Sequence, residues 1–458
     1  MTMQSRRDLF HAHRLMTQRA SLALLRGEPD IPDQPLRRLN VGTFSGVLVA
    51  VIVTVLFVIW GLLGHGGGSL QYQPGLLALD KQTGQPYVFC QNRKICPVLN
   101  YASARLALGN TTVTQETVSQ ASLARFPRGP LIGIAGLPPL PVSAQLVRQP
   151  WSVCTQTALG PSGTQTTTTV AAGISTGGSA MGGSALLVQA PSGQDWVIWN
   201  AQRMLIQQSA LSVLATSQPA VPVPSVWLNA LPQGPAFAPP GIPDQDATVP
   251  GPVGPVRVGQ VYQVTVVAGS TQYYVMLRDG LAPISKTQAA LLNSEPGAPK
   301  QATLPPSDVS DHRSASRVPP GGLPAAVPPV VTPGSSAPLC VVYAGAGPAL
   351  ASQVETAGRM PSGGTATGNA AGITTVALPA GAGALVGDAP GTGQASGAIS
   401  YFLVVAGHRY ALASKGVAGM LGYTLSQAVV LPAGVVDLIP SGPALDPAQA
   451  ARPAPAGG

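Results

Sequence analysis

The sequence predicts an α+β fold: a single-pass membrane protein with an N-terminal amphipathic cytosolic helix, one transmembrane helix and an elongated extracytoplasmic domain. That domain is expected to hold a central β-rich core and four hairpin-helix repeats. Three observations support this prediction. An uninterrupted apolar run extends from Val41 to Leu63, arginines crowd the residues before it, and four similar strand-turn-helix segments recur after it.

The run from Val41 to Leu63 contains no Asp, Glu, Lys or Arg. At about 1.5 Å per residue, a helix of this length crosses a hydrocarbon core about 30 Å thick. A cleaved signal peptide is the competing interpretation, but it would carry an apolar stretch of about 7 to 15 residues behind a short basic leader. Both the leader and the run are too long for that. We therefore predict an uncleaved anchor with Val41 and Leu63 as its ends.

The flanking charges predict the orientation of this span. The first formal charge after it is Asp80. The arginines before it are Arg6, Arg7, Arg14, Arg19, Arg26, Arg37 and Arg38. Because positive residues stay on the cytoplasmic side, residues 1–40 are predicted to lie in the cytosol and the large C-terminal part outside. The predicted location is the plasma (inner) membrane.

The segment Ser5–Leu25 has the pattern of an amphipathic helix. Its apolar positions recur at spacings of three and four: Leu9, Phe10, His13, Met16, Ala20, Ala23 and Leu24. Such a helix can lie on the inner leaflet or dock on a cytosolic partner. The contact residues predicted for it are Arg6, Arg7, Leu9, Phe10, Arg14, Met16, Arg19 and Leu24. A solvated basic leader with no specific contact is the alternative.

The composition is that of an exported chain with short elements. Only 9% of the 458 residues are charged, against about 25% in an average protein, and the chain contains 54 Gly and 47 Pro. This Gly and Pro content opposes long helices after the span. The net charge of +8 is attributed to the N-terminal arginines and their attraction to lipid headgroups. No basic stripe with interleaved aromatic residues occurs in the sequence outside the N-terminal segment, so the charge does not indicate a nucleic-acid partner.

Four cysteines in a chain placed outside the cytosol favour disulfides, and four cysteines allow three pairings. Cys90 and Cys96 bracket a short loop between two apolar stretches, so a bond between them would close a hairpin, which leaves Cys154 to pair with Cys340 across a long loop. Four buried thiols are the alternative. A zinc site is disfavoured because no histidine lies near these cysteines in the sequence.

Four segments repeat the order aromatic strand, polar turn, second strand and short helix. They cover about residues 87–109, 196–215, 274–294 and 402–423. In each, an opening aromatic residue precedes a closing leucine by 18 to 21 positions: Tyr87 and Leu108, Trp196 and Leu214, Tyr274 and Leu292, Phe402 and Leu421. Each is predicted to be a hairpin with a helix folded back on it. Chance similarity among short segments is the alternative.

Other segments are assigned by their composition. A strand is predicted at Thr164–Val170, and further strands of a central sheet that carries Cys154 and Cys340 are predicted at Val261–Val267, Leu339–Tyr343 and Thr374–Leu378. The Pro-rich stretches 232–255 and 295–338 are predicted to be loops or linkers. The resulting domains are residues 1–40, 41–63 and 64–440, followed by a Pro/Ala-rich tail without its own core at 441–458.

The enzyme and cell-wall hypotheses find little support in the sequence. The nearest match to a phosphate-binding loop is Gly280–Thr287, but Ser285 replaces its second glycine and Pro283 removes a needed N–H. His65, His312 and His408 follow the span without a hydrolase or metalloprotease motif. We therefore assign no catalytic, cofactor-binding or metal-binding residue. A cell-wall-binding anchor would use exposed aromatic residues such as Tyr273, Tyr274 and Tyr401, for which core packing is the favoured interpretation.

Several motifs together resemble a known family. They are CPVLNYASARLALG after Cys96, FPRGPLIGIAGLP at Phe126–Pro138, and WSVC ending at Cys154, along with the basic helix, the single span and the four spaced repeats. The chain resembles, over nearly its whole length, the EccB subunit of the type VII (ESX) secretion membrane complex of actinobacteria.

This resemblance implies a structural core component of a six-fold assembly that works with the EccC motor ATPase, EccD and EccE. It also implies that the outer domain associates with itself and contacts the mycosin protease. The family has four repeats on a central fold bridged by a disulfide, which Cys154 and Cys340 match by position, whereas Cys90 and Cys96 depart from the commonest pattern. Because family members have been labelled ATPases, an accessory ATPase or nucleotide-binding subunit is the alternative function.

Overall fold

The computed structural model describes residues 6–26, 35–64, 70–160, 163–266, 269–345, 350–366, 375–389 and 399–455. The chain divides into two compact units, Met1–Leu70 and Gln71–Gly458. The first unit contains two helices, α1 (Arg6–Arg26) and α2 (Pro35–Gly64). Proline suits the first position of a helix because it has no backbone N–H, and an N–H at that position would have no partner within the helix. Within α2, Val41–Trp60 has a mean hydropathy of 2.6 and is long and apolar enough to cross a membrane.

The second unit begins with the first repeat. Its elements are β1 (Leu76–Asp80), β2 (Pro86–Phe89), β3 (Ile95–Pro97), α3 (Tyr101–Leu108) and β4 (Thr114–Val118). Helix α3 begins where the Asn100 side chain accepts a hydrogen bond from the Ser103 N–H, and it ends at Gly109 in the left-handed conformation. These are the residue types that favour the two ends of a helix. A short helix α4 (Gln120–Leu123) follows, and then β5 (Trp151–Gly160), β6 (Gly163–Ala172) and β7 (Ser179–Ala180).

The second and third repeats follow in sequence. The second contains β8 (Leu186–Gln189), β9 (Asp195–Trp199), β10 (Gln202–Leu205), a 3-10 helix (Gln208–Leu214) and β11 (Val221–Pro222). Helix α5 (Ser225–Asn229) and a hairpin of β12 (Thr248–Gly251) and β13 (Gly254–Arg257) come next. The third contains β14 (Val261–Thr265), β15 (Thr271–Leu277), β16 (Gly280–Ile284), α6 (Lys286–Asn293) and β17 (Ala302–Leu304).

The remaining chain returns to the centre and then forms the fourth repeat. After α7 (Pro306–Asp311), the chain adds β18 (Leu339–Ala344), β19 (Ala351–Thr356), β20 (Thr365–Ala366) and β21 (Thr375–Ala377). The fourth repeat contains β22 (Gly383–Ala389), β23 (Ser400–Val405), β24 (His408–Ala411), α8 (Gly416–Met420) and β25 (Val429–Pro432). Two short helices follow, α9 (Ala433–Val436) and α10 (Pro447–Ala450).

All four repeats share one topology. In each sheet the third strand pairs with the second and the second with the first, antiparallel, while the fourth strand pairs with the first in parallel. The helix forms the crossover between the third and fourth strands. The predicted hairpin and helix are present in each repeat, although the second repeat uses a 3-10 helix. The first and fourth strands complete a four-stranded sheet, which can bury a face that a lone hairpin cannot.

A seven-stranded sheet in the order β20-β21-β6-β5-β18-β19-β7 lies between the repeats in the chain. It contains the strands predicted near Thr164–Val170 and Leu339–Tyr343, and β21 lies within the predicted Thr374–Leu378, whose first residue is outside the described residues. The assignment of Val261–Val267 to this sheet is wrong. Its described part forms β14, the first strand of the third repeat, which pairs with β15 and β17.

The central sheet and the second and fourth repeats share the main hydrophobic core. Trp151, Val341 and Tyr343 of the sheet pack with Leu186 of the second repeat and Val386 of the fourth. Helix α5 adds Trp227, whose Nε1 donates a hydrogen bond to the Leu339 carbonyl at 3.0 Å. The Tyr343 hydroxyl donates to the Ala230 carbonyl, and burial raises the pKa of Tyr343. The Trp227 indole and the Tyr343 phenol are thus buried with hydrogen-bond partners, which offset the cost of burying polar groups.

The outer pair of repeats attaches to the inner pair. The first repeat packs on the fourth: Leu106 of α3 shares a core with Leu403 and Leu421, and Arg105 Nε donates to the Met420 carbonyl at 2.7 Å. The third repeat meets the second where Leu291 of α6 packs among residues of the 3-10 helix. The packing order is therefore third, second, central sheet, fourth and first.

The interpretation of residues 441–458 as a tail is wrong for 441–455. Leu445 and Ala450 are buried in the core shared by the first and fourth repeats. The Leu445 N–H donates to the Ala411 carbonyl at 2.7 Å, and the Ala454 N–H donates to Leu131 at 2.9 Å. The Pro-rich stretches are also not only loops: β12 and the start of β13 lie within 232–255, and β17 and α7 lie within 295–338.

Candidate functional site

Helix α1 presents apolar side chains to its surroundings. Leu9, Phe10, Met16 and Leu24 are 61%, 67%, 76% and 89% exposed. At 100° per residue, Leu9, Met16 and Leu24 fall within about 80° of one another. The basic residues predicted as contacts, Arg6, Arg7, Arg14 and Arg19, are also exposed. A large apolar stripe exposed in this way is typical of a surface that a lipid or a partner covers.

The span predicted between Val41 and Leu63 lies within α2. The described side chains from Val41 to Trp60 are exposed, with none of this window buried inside the protein. The side chain of Leu63 lies outside the described residues. An apolar segment whose described side chains are all exposed needs an apolar surrounding, which a bilayer supplies.

The central sheet holds the Cys154–Cys340 disulfide. The two cysteines are direct partners across the antiparallel pair β5 and β18, and their Cα atoms are 4.0 Å apart. Both side chains are buried, with Met360 packed beside them. Because 186 positions separate them in sequence, this bond joins the strand that follows the first repeat to a strand that precedes the fourth. The second disulfide, Cys90–Cys96, closes the loop between β2 and β3.

The segment that resembles a phosphate-binding loop is a strand and a capped helix. Gly280–Ile284 forms β16 and pairs with β15. Gly280 allows close approach of another backbone, since a Cβ there would lie 2.4 Å from the His312 oxygen. Ser285 caps α6 in a reciprocal arrangement with Gln288, and Thr287 is buried. Two of the backbone N–H groups that would surround a phosphate are thus engaged, since that of Leu281 donates to the His312 carbonyl and that of Ser285 donates to Gln288 Oε1.

The two described histidines considered for catalysis each make a local contact with a backbone carbonyl oxygen. His312 Nδ1 is 3.0 Å from the Asp308 carbonyl oxygen at the end of α7, and His408 is in the turn of the fourth repeat, 3.2 Å from the Ala406 oxygen. His65 lies outside the described residues. Among the residues that the structure describes, no group of three or more His, Cys, Asp or Glu could hold a metal ion.

The tyrosines considered for cell-wall binding are half-buried. Tyr273 and Tyr274 pack against the core of the third repeat, and Tyr401 packs against that of the fourth. The Tyr274 hydroxyl donates to Gln272 Oε1 at 2.7 Å. These positions agree with the favoured interpretation of the tyrosines as part of the repeat cores.

A charged cluster in the fourth repeat was not predicted from the sequence. Arg409 pairs with Asp437 at 2.6 Å and lies over the Phe402 ring at 5.3 Å. Asp388 is half-buried, and its buried Oδ1 has no hydrogen-bond partner among the described residues. Burial and the nearby charge of Asp437 raise the pKa of Asp388, with Arg409 acting in the opposite direction. Asp388, Arg409 and Asp437 are separated in the sequence and lie close together only because the fourth repeat folds into a sheet.

We expect Asp388→Asn to stabilise the protein at neutral pH. Below pH 3.8, the ordinary pKa of the group, the Asp388 carboxyl is neutral in both the folded and the unfolded state and does not lower the stability of the fold. As the pH rises above that value and through the raised folded-state pKa, stability is lost, because the unfolded state ionises more readily. Thermal unfolding should show a melting temperature a few degrees higher than the parent at pH 7 and no difference at acidic pH. A lower melting temperature for the variant at pH 7 would show that the carboxylate is stabilising.

Comparisons with known proteins identify a family model and relatives that match most of this chain. Residues 3–454 match the family model described as type VII secretion system ESX-1, transport TM domain B. The ESX-3 secretion system ATPase EccB3 of Mycobacterium tuberculosis is 31% identical over 450 residues, which cover 88% of this chain and 82% of that protein. The ESX-5 secretion system ATPase EccB5 of Mycobacterium marinum is 28% identical over 323 residues, 67% of this chain and 62% of that protein.

Solved structures share the fold. A chain of the intact ESX-5 inner membrane complex has a TM-score of 0.66 and 24% identity, covering 99% of this chain and 96% of that one. A chain of the EccB3 dimer from the ESX-3 core complex also has a TM-score of 0.66, with 25% identity over 82% of this chain and 99% of that one. The family match, the span and the repeat architecture agree, and the chain belongs to the EccB family of type VII secretion systems.

Proposed function

We propose that this protein is a structural core component of a type VII secretion membrane complex, in which it scaffolds the periplasmic side of the protein-export channel. The observation that carries this proposal is the architecture: an anchoring helix followed by four repeats of one topology joined to a disulfide-bonded central sheet. Such a unit offers several separate faces for contacts with other subunits.

The proposed location is the plasma (inner) membrane, with the N-terminus in the cytosol. The proposed partners are the EccC ATPase, EccD and EccE, the mycosin protease and further copies of this chain. Support comes from the relatives of known structure, which were solved as a dimer from the ESX-3 core complex and within an ESX-5 inner membrane complex. The exposed apolar stripe of α1 provides a surface on the cytosolic side for one of these subunits.

The test compares two double variants of α1. Leu9→Ser with Met16→Ser removes the apolar stripe, and we expect the complex to lose this subunit and substrate secretion to fall to background. Leu15→Ser with Leu25→Ser is the matched control, because these residues are also exposed, at 54% and 82%, but lie on the other side of the helix. The measurement is co-purification of the other core subunits from membranes, together with secreted substrate.

The control variant should assemble and secrete normally. Both variants must reach the membrane at the level of the parent, which immunoblotting of the membrane fraction measures. If the stripe variant assembles and secretes as well as the control, the proposed role of α1 is wrong.

The alternative, an accessory ATPase, is suggested by the names of the relatives, ESX-3 and ESX-5 secretion system ATPase. Our proposal expects the purified full chain to hydrolyse ATP no faster than a blank preparation. The residue to change is Lys286, which is exposed at the first position of α6, so Lys286→Ala leaves the core intact. If the parent protein hydrolyses ATP and Lys286→Ala abolishes this activity, the protein is an ATPase and the scaffold proposal is contradicted.

A further inference from the structure

The positive charge of this chain is divided unevenly. Residues 71–150 contain seven Lys or Arg against two Asp or Glu, a formal charge of +5, whereas residues 151–458 contain eleven of each and are neutral. Residues 1–70 contain seven against four, or +3. The attribution of the net charge to the N-terminal arginines is therefore wrong for its larger part, which belongs to the first repeat and the segment that follows it.

Four of these basic residues are exposed on two neighbouring segments: Arg93 and Lys94 in the loop between β2 and β3, and Arg125 and Arg128 after α4. The segments are joined through Ile95. Its N–H donates to the Pro127 carbonyl, and its carbonyl accepts from the Gly129 N–H, both at 2.9 Å. We call Arg93, Lys94, Arg125 and Arg128 the cationic face.

Aromatic side chains accompany the cationic face. The ring of Phe89 lies 5.0 Å from that of Tyr72 and 5.0 Å from that of Phe126, both edge to face. The Arg93 guanidinium lies 5.3 Å from the centre of the Tyr72 ring, and Tyr72 is 43% exposed. Basic residues mixed with amphipathic aromatic rings are typical of surfaces at the membrane–water interface.

The loop that carries Arg93 is held in one shape. The Cys90–Cys96 disulfide closes it, and Asn92 and Arg93 have φ angles of 60° and 57°. The disulfide packs on the second segment, since a Cβ at Gly129 would lie 2.3 Å from the Cys96 sulfur. A surface fixed in this way loses little conformational entropy when it binds. This gives a reason for a disulfide in the first repeat.

We propose that the cationic face binds anionic lipid headgroups in the outer leaflet of the membrane that α2 crosses. This proposal rests on the proposed topology. In the sequence, only residues 65–72 connect the end of α2 to Tyr72, and a chain of eight residues extends over at most about 28 Å. The covalent connection therefore sets an upper limit on the distance between the end of α2 and Tyr72. Opposite charge then favours docking, by about a factor of five for each basic residue near an anionic surface.

The test uses the purified full chain in lipid nanodiscs, without other subunits, so its outcome is independent of secretion. Amide hydrogen exchange is measured for the two segments of the cationic face in discs of phosphatidylcholine and in discs that also contain phosphatidylglycerol. We expect slower exchange in the anionic discs, and loss of this protection at high salt, which screens exposed charges.

Two triple variants complete the test. Arg93→Gln, Lys94→Gln and Arg128→Gln should lower the docking equilibrium by about a hundredfold and abolish the protection. The control changes three exposed basic residues elsewhere, Lys300→Gln, Arg317→Gln and Lys415→Gln, and should keep it. Equal exchange in both kinds of disc, or equal loss in both variants, would overturn the proposal. Protection in phosphatidylcholine discs on addition of inorganic phosphate would also overturn it, as a small-anion site.

Discussion

Replacement of Cys154 and Cys340 by serine is expected to lower the free energy of unfolding of the C-terminal unit by about 5 kcal/mol. The disulfide closes a loop of 186 positions, and closing so long a loop removes much conformational entropy from the unfolded chain. The bond also connects two neighbouring strands of the central sheet, against which the second and fourth repeats pack. Its loss should therefore affect the whole unit.

The measurement is urea unfolding of the full chain in detergent, followed by tryptophan fluorescence, since Trp151 and Trp227 are buried in the main core. Cys90→Ser with Cys96→Ser is the matched control. It opens a loop of only 6 positions, and the same entropic relation gives about 2 kcal/mol. An equal or larger loss in the control would contradict the central role of the long-range bond.

Leu445→Ala is expected to destabilise the protein by about 3 kcal/mol and to release residues 441–455 from the first and fourth repeats. The Leu445 side chain is 1% exposed and belongs to the same core as Leu106 and Tyr410. Removing it loses the transfer free energy of its side chain and leaves a cavity. Because the segment contributes few other buried side chains, its docking depends strongly on this residue.

Hydrogen exchange of the amides of Leu445 and Ala454, which donate to Ala411 and Leu131, measures the release directly. Leu159→Ala is the control, since Leu159 is 89% exposed and surface substitutions change stability by about 0.5 kcal/mol at most. If Leu445→Ala leaves both amides protected as in the parent, residues 441–455 are held by other contacts and the assignment of Leu445 as their anchor is incorrect.

The repeats could be predicted because their signal is local. An opening aromatic residue, a turn and a closing leucine at nearly constant spacing describe a hairpin and a helix within about 22 residues. The outer strands of each repeat were not predicted. Strand β11 has only two residues, Val221–Pro222, and pairs in parallel with β8 across the rest of the repeat. Parallel pairing of short strands depends on the crossover that brings them together.

The incorrect predictions concern segments whose position in the fold depends on tertiary contacts. Val261–Val267 has the alternation of a strand, but nothing in its own residues shows that β15 and β17 are its neighbours. The Pro- and Ala-rich composition after Pro440 suggests a tail, yet Leu445 packs in the core shared by the first and fourth repeats, which are far apart in the sequence. The cationic face was missed for a similar reason, since Arg93 and Arg128 meet only through the pairing at Ile95.

The disulfides were within reach of sequence reasoning because the spacing of Cys90 and Cys96 predicts a closed hairpin and leaves one further pair. The charged cluster in the fourth repeat could not be predicted in this way. Its residues lie on separate elements: Asp388 in β22, Arg409 in β24 and Asp437 directly after α9. Neither the alternation of apolar residues nor the spacing of charges reveals which strands of a sheet are adjacent.

The central claim is that one crossing of the membrane places residues 1–40 in the cytosol and the disulfide-bonded unit outside. Protease treatment of intact spheroplasts tests it most directly, with antibodies against each end of the chain. We predict that the protease removes the C-terminal epitope and leaves a membrane-protected fragment that contains α1 and α2. Protection of the C-terminal epitope with loss of the N-terminal one would contradict the account.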